Sequence, residues 1–136
     1  MSYRETIILS LGGSLMVPNG GIDTQFLIQF NKFVRNQIAE RNRRFFIICG
    51  GGATARSYIE SGTKVVGKSI THDDQDWLGI HSTRLNAHLM RTVFRDIAYP
   101  RIFKHYDREY DIKDEPIVIC SGWKPGWSTD YCAVLI

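Results

Sequence analysis

The sequence predicts an α/β fold, a mostly parallel sheet with helices on both faces in a three-layer sandwich. Three observations carry this expectation. Short unbroken apolar runs, TIILSL (residues 6–11), FFIIC (45–49) and PIVIC (116–120), read as strands buried on both faces. Longer segments between them place apolar residues at helical spacing. Each apolar run also ends in a glycine-bearing loop, as expected when strands deliver the chain to one edge of a sheet and helices carry it back.

In order, residues 6–11 form the first strand and Gly12-Gly13-Ser14 follow as a turn. Residues 23–40 carry Phe26, Leu27, Phe30, Phe33, Val34 and Ile38 on one helical stripe, with Asp23 as the N-cap. Residues 45–49 form the second strand and run directly into Gly50-Gly51-Gly52. A helix is expected from Ala53 to Glu60, stopped near Gly62. After a polar segment, a long helix is expected over residues 73–96, with Trp77, Ile80, Leu85, Leu89 and Val93 as its apolar stripe. It must end before Pro100, because the residue preceding proline avoids the helical region. Residues 116–120 form a further strand, and Ser128 or Thr129 caps a last helix that is cut off at Ile136. Residues 1–136 therefore read as a single domain that is not whole.

A chain of 136 residues with 43% apolar and 23% charged residues can bury roughly two-thirds of its unfolded surface, which excludes a disordered chain. No apolar run approaches the length of a membrane span, and no signal peptide is read in the opening residues. The net charge of +3 is mild, and the one basic cluster, Arg41, Arg43 and Arg44, reads as a solvated helix end rather than a nucleic-acid patch. Neither nucleic acid nor membrane is an expected partner. Cys49, Cys120 and Cys132 lack metal-ligand spacing and suit a reducing, cytoplasmic setting. His72, His81, His88 and His105 are scattered, and no metal site is expected among them.

Three glycine loops on one sheet edge offer bare backbone N–H groups, two of them close to helix starts. That arrangement suits anions, phosphates above all. Ordinary strand-to-helix turns account equally well for any one loop taken alone. Arg56 lies one turn into the second of the long helices, where its planar fork suits phosphate oxygens, and Lys124 sits within the third loop. Asp76, near the start of the long helix, could accept from sugar hydroxyls. GTKVVGKS (residues 62–69) matches the Walker A pattern letter for letter. Its context is wrong, since a polar helical segment precedes it and no apolar strand ends in an aspartate for magnesium. The match is read as accidental.

The ordered set SLGGSL, IICGGGATAR, DWLGIHSTRLNA and GWKPGWSTDY resembles the amino acid kinase family, and within it the uridylate kinases of the archaeal type. The resemblance spans residues 7–133. It implies transfer of the γ-phosphoryl group of ATP to UMP, giving UDP and ADP, with Mg²⁺. Ser10, Leu11, Gly12, Gly13 and Ser14 would lie along the ATP phosphates with Gly52 and Arg56. Of these, Ser10, Gly12, Gly13 and Arg56 would bear on the transfer itself. Gly51, Asp76, Trp123, Lys124, Pro125, Gly126, Trp127, Ser128, Thr129 and Asp130 would hold UMP. Many amino acid kinases carry a lysine two residues before the first glycine pair. Here that position is Ser10, a departure the archaeal-type group shares. The resemblance also implies that residues 1–136 are the acceptor-nucleotide half of an incomplete domain, with the ATP-binding half absent and a sheet edge left unpaired. Homo-oligomers are expected of the full-length form. Two alternatives stay open: a nucleotide-binding chain without turnover, and the same fold acting on carbamate, isopentenyl phosphate or an amino-acid carboxylate.

Overall fold

Three parallel strands, β1 (Glu5–Leu11), β2 (Arg43–Cys49) and β3 (Ile117–Cys120), form a sheet in the order β1-β2-β3. The register sets Ile7 beside Phe45 and Phe45 beside Ile117, so glycine loops two and three leave neighbouring strands at one edge. The computed structural model describes residues 2–19 and 21–136. Beyond β3, the backbone of residues 98–103 partly covers the sheet, with Tyr99 N–H and Phe103 N–H donating to Ile117 and Ile119 carbonyls at 2.8 Å.

Alternation along the strands divides the core in two. Phe45, Ile47, Cys49, Ile117 and Ile119 face one cluster. They meet Leu27 and Val34 of helix α2 (Thr24–Arg41) and Ala87 and Met90 of helix α4 (His72–Val93) there. Ile48, Val118 and Cys120 face the other side, against Tyr99, Phe103 and Ala133 of helix α5 (Thr129–Val134). Each large side chain so buried contributes about 1.5–3 kcal/mol. Covering both faces is what the apolar runs of β2 and β3 require, whereas β1, at the edge of the sheet, buries only Leu11 and leaves Ile8 exposed; the α/β expectation holds.

Helix ends follow local chemistry. Asp23 accepts from Phe26 N–H at 3.0 Å and opens α2, while Asn42 closes it in the left-handed region at φ 52°. Thr71 and Asp74 exchange bonds in a capping box that opens α4, and Ser128, not Thr129, caps α5 by accepting from Tyr131 N–H.

Several sequence expectations need correction. Residues 13–16 are a short helix, α1 (Gly13–Met16), rather than a plain turn. Helix α3 spans Gly52–Val66 and does not stop near Gly62. Gly62 lies inside it, facing α4, where a Cβ would make an ordinary contact with Leu78 Cδ1 at 3.4 Å. The Walker-like letters consequently fall on the end of α3 and a single 3₁₀ turn (Gly67–Ser69), with no strand before them. Helix α4 ends at Val93 instead of residue 96. Its Trp77 and Leu85 are exposed, and the buried face is Ile80, Ser82, Thr83, Asn86, Ala87 and Met90. Phe33 of the α2 stripe is likewise exposed. Arg43 and Arg44 are not a helix end but open β2, where Arg43 Nε donates to Glu5 at 3.0 Å and Arg44 donates to the carbonyls of Lys113 and Glu115.

Candidate functional site

The first and second glycine loops touch backbone to backbone. A Cβ on Gly13 would stand 2.1 Å from Gly52 N and 2.6 Å from the carbonyl carbons of Gly50 and Gly51. Gly52 adopts φ +61°, and a Cβ there would meet Gly13 O at 2.3 Å. Glycine is required at both positions by contact, and at Gly52 by conformation as well. Gly12 differs, with open space around its Cα and an ordinary φ of −57°. Arg56 ties the two loops together one turn into α3. Its Nη1 donates to Ser14 Oγ at 3.2 Å and its Nη2 to Asn19 Oδ1 at 3.3 Å.

No side chain caps α3. Gly51 lies in the right-handed region (φ −88°, ψ −34°) and Gly52 in the left-handed one. This right–left succession turns consecutive N–H groups toward a common point, a backbone nest suited to anions. Ala53 N–H is spent on Val17 O at 2.9 Å, whereas the N–H groups of Gly51 and Gly52 have no hydrogen-bond partner among the described residues.

The third loop is held by α4. Thr83 Oγ1 donates to Ile80 O at 2.6 Å and accepts from Gly122 N–H at 2.8 Å. Arg84 Nη2 donates to Trp123 O at 3.2 Å, and Asp76 Oδ2 accepts from Gly126 N–H at 3.0 Å. Trp127 N–H donates to Lys124 O and Gly126 has φ +86°, so Lys124-Pro125-Gly126-Trp127 forms a type II turn with proline and glycine where that turn needs them. From the other side Tyr106 OH donates to Ser121 O at 2.8 Å, and burial pushes that phenol well above its ordinary pKa. Lys124 Nζ rests 4.2 Å from the Trp123 ring centre and 4.9 Å from that of Trp127, a cation–π perch rather than an extended cation. Trp127 in turn stacks on Tyr131 at 4.6 Å.

Between the second and third loops, floored by α4, lies a cleft of about 420 Å³. It gathers eight of the residues singled out from the sequence: Gly51, Gly52, Asp76, Lys124, Gly126, Trp127, Ser128 and Thr129. Thr83, Gly79, Ile80, Gln75, Ala55, Ile59 and Gly122 complete its lining. Trp123 and Pro125 belong to the same loop but do not line the cleft, and the first-loop group lies outside it too. Within that group Leu11 is buried and Ser10 Oγ donates to Asp130 Oδ1 at 2.6 Å, joining the end of β1 to the start of α5. Asp76 is already committed to the third loop through one oxygen, so its first task is to shape the cleft. Thr83, Arg84 and Asn86 stand in the DWLGIHSTRLNA segment that carries the resemblance, but the sequence reading gives them no role in the site. Their signal is polar side chains on the inward face of an amphipathic helix.

A larger groove of about 1060 Å³ lies elsewhere, lined by His88, Tyr99, Arg101, Lys104, His105 and Arg108 among others. Burial, with Arg108, Lys104 and Arg84 nearby, holds His105 below its ordinary pKa. None of the glycine loops contributes to this groove, so it is not the candidate site. Among the described residues no group of three or more His, Cys, Asp or Glu side chains could hold a metal ion, and no helix is long and apolar enough to cross a membrane.

Comparison with known proteins adds four findings. The profile of the amino acid kinase family matches residues 5–118. The uridylate kinase of Methanosarcina barkeri is 31% identical over 131 residues, covering 96% of this chain and 53% of the relative. That of Methanoregula boonei is 34% identical over 133 residues, covering 97% and 54%. The crystal structure of the uridylate kinase from Archaeoglobus fulgidus superposes with a TM-score of 0.76 at 29% identity, over 94% of this chain and 55% of that one. The chain thus spans about half the length of the relatives it matches.

Proposed function

The chain belongs to the amino acid kinase family, and from that premise we propose that it serves phosphoryl transfer from ATP to UMP, giving UDP and ADP, with the cleft as the acceptor-nucleotide site. The observation that carries the reading is the cleft between the second and third glycine loops. At one end it offers the unpartnered N–H groups of Gly51 and Gly52, and at the other the apolar plane of Trp127. An anionic phosphate fits the first and a flat pyrimidine fits the second. The uridylate kinases among its relatives support the same assignment.

The chemistry asks for little beyond position. A phosphate monoester with a second pKa near ~6 is largely dianionic at neutral pH and attacks without a general base. The protein must bring two polyanions together and offset their repulsion. In this proposal Gly51 meets the acceptor phosphate, Asp76 and residues 123–130 hold the nucleoside, and Lys124 leaves its aromatic perch as anionic charge arrives. Ser10, Leu11, Gly12, Gly13 and Ser14, with Arg56, face the donor phosphates, and Gly52, which the resemblance sets on that side, joins Gly51 on the acceptor phosphate because it lines the cleft. The donor set fits a Mg²⁺ carried on ATP better than an ion caged by protein, since Mg²⁺ keeps phosphate and water ligands and no carboxylate cluster is at hand among the described residues. Bound with ATP, it would neutralise charge on the transferring group. Three buried free cysteines suit the cytoplasm as the place of action.

Coupled measurement of ADP release with UMP, CMP, carbamate, isopentenyl phosphate and amino acids as acceptors tests the reading. ADP release that depends on UMP supports it. Preference for a non-nucleotide acceptor overturns it, and UMP binding without turnover reduces the chain to a binding module.

A further inference from the structure

Asn86 is 4% exposed, lies on the inward face of α4 and does not line the cleft. Its Nδ2 donates to Gly50 O at 2.8 Å and to Gly51 O at 3.1 Å, so both amide protons are spent on two successive carbonyls of the second loop. A trans peptide directs its N–H opposite to its C=O. The Gly50 carbonyl shares its plane with Gly51 N–H, and the Gly51 carbonyl with Gly52 N–H. Clamping both carbonyls onto α4 therefore turns both N–H groups away from α4.

We propose that Asn86 is a positioning residue for the acceptor phosphate, the clamp that presets the Gly51–Gly52 nest before any anion arrives. The inference rests on reading the cleft as the acceptor-nucleotide site. Glycine-rich backbone has many conformations to lose, and Gly52 at φ +61° is one of several it could adopt. Without the clamp, the cost of orienting two peptide planes would fall on the ligand at binding. Only an amide suits the position. A carboxylate would face two carbonyl oxygens with no proton to give, and an aliphatic side chain of similar size would leave Gly50 O without a donor and Gly51 O with only Ala55 N–H, at 3.3 Å.

The test separates a phosphate-specific role from general support of the fold. UMP and uridine, which differ only by the phosphate, are titrated into the wild-type protein and the Asn86→Ala and Asn86→Leu variants by calorimetry. Loss of UMP affinity by on the order of tenfold, with uridine affinity unchanged, is expected, since the lost orientation concerns only bonds to phosphate. A parallel fall for both ligands, or no fall for either, overturns the inference. Wild-type protein that binds UMP no better than uridine refutes the acceptor-site reading itself. Should both variants fail to fold, amide NMR of the wild-type protein decides. The Gly51 and Gly52 amide protons should move downfield with UMP and stay in place with uridine, and static signals under bound UMP contradict the proposal.

Discussion

Gly12 and Gly13 are neighbours in one loop, yet the structure gives them opposite tolerances, and replacing each by alanine makes the sharpest test of the loop packing. On Gly13 a Cβ would stand 2.1 Å from Gly52 N and 2.6 Å from two carbonyl carbons, more than an ångström short of ordinary contact with the nearest. All three obstructing atoms are backbone, so no side-chain rotation relieves the clash. Overpacking costs about 1–3 kcal/mol, and a clash against two fixed loops belongs at the upper end, about 3 kcal/mol. For a chain of 136 residues, at roughly 4 °C per kcal/mol, Tm should fall by about 12 °C. On Gly12 nothing lies within 4 Å and φ is −57°. Alanine there reduces unfolded-chain entropy without strain and should leave stability level or raise it by about 0.4–1 kcal/mol. Thermal unfolding followed by far-UV circular dichroism measures both. Equal losses for the two variants, or an unchanged Tm for Gly13→Ala, would refute the packing argument.

Lys68 is exposed on a 3₁₀ turn at the end of α3, so Lys68→Ala should leave ATP affinity unchanged in equilibrium dialysis; a large loss would restore the Walker reading. Trp127 lines the cleft and Trp123 does not, so a tryptophan fluorescence change on adding UMP should survive Trp123→Phe and vanish in Trp127→Phe. Arg35 donates to both carboxylate oxygens of Asp96, at 2.7 and 3.0 Å, and holds that carboxyl at about 2 against an ordinary 3.8. A depressed folded-state pKa stabilises above the unfolded value and loses that contribution as pH falls from about 4 to about 2. Asp96→Asn should therefore lose less Tm than wild type over that window, and identical acid profiles would remove the pair from the account.

The fold was legible where burial decides sequence. Phe45, Ile47 and Ile117 face one core and Ile48 and Val118 the other, so both faces demanded apolar residues and left unbroken runs to read. Helix α3 was misjudged because Gly62 carries two meanings. Glycine stops a helix when the chain must turn, but here it sits in mid-helix against Leu78 of α4, at a place where the chain does not turn. The α4 stripe was misread for a related reason. Apolar periodicity points to Trp77 and Leu85, both exposed, while the helix turns Ser82, Thr83 and Asn86 inward, the last two to bond backbone of the glycine loops.

The candidate site divides along the same line. The loops announced themselves through glycine, and the cleft does assemble the second loop, the third loop and Asp76. What fastens them could not be read from spacing, because a buried Thr83 or Asn86 looks like any solvated polar residue until its partner is known. Lys124 read as a free cation, but Trp123 and Trp127 supply it with a resting place that charge alone does not suggest.

The measurement that bears most directly on the central claim is a crystal structure of the protein grown with UMP. The phosphate is expected on the N–H groups of Gly51 and Gly52, the uracil against Trp127, and the Asp76–Gly126 bond intact. UMP bound instead in the groove lined by Arg101, Lys104 and Arg108, with the cleft beside Trp127 empty, would contradict it.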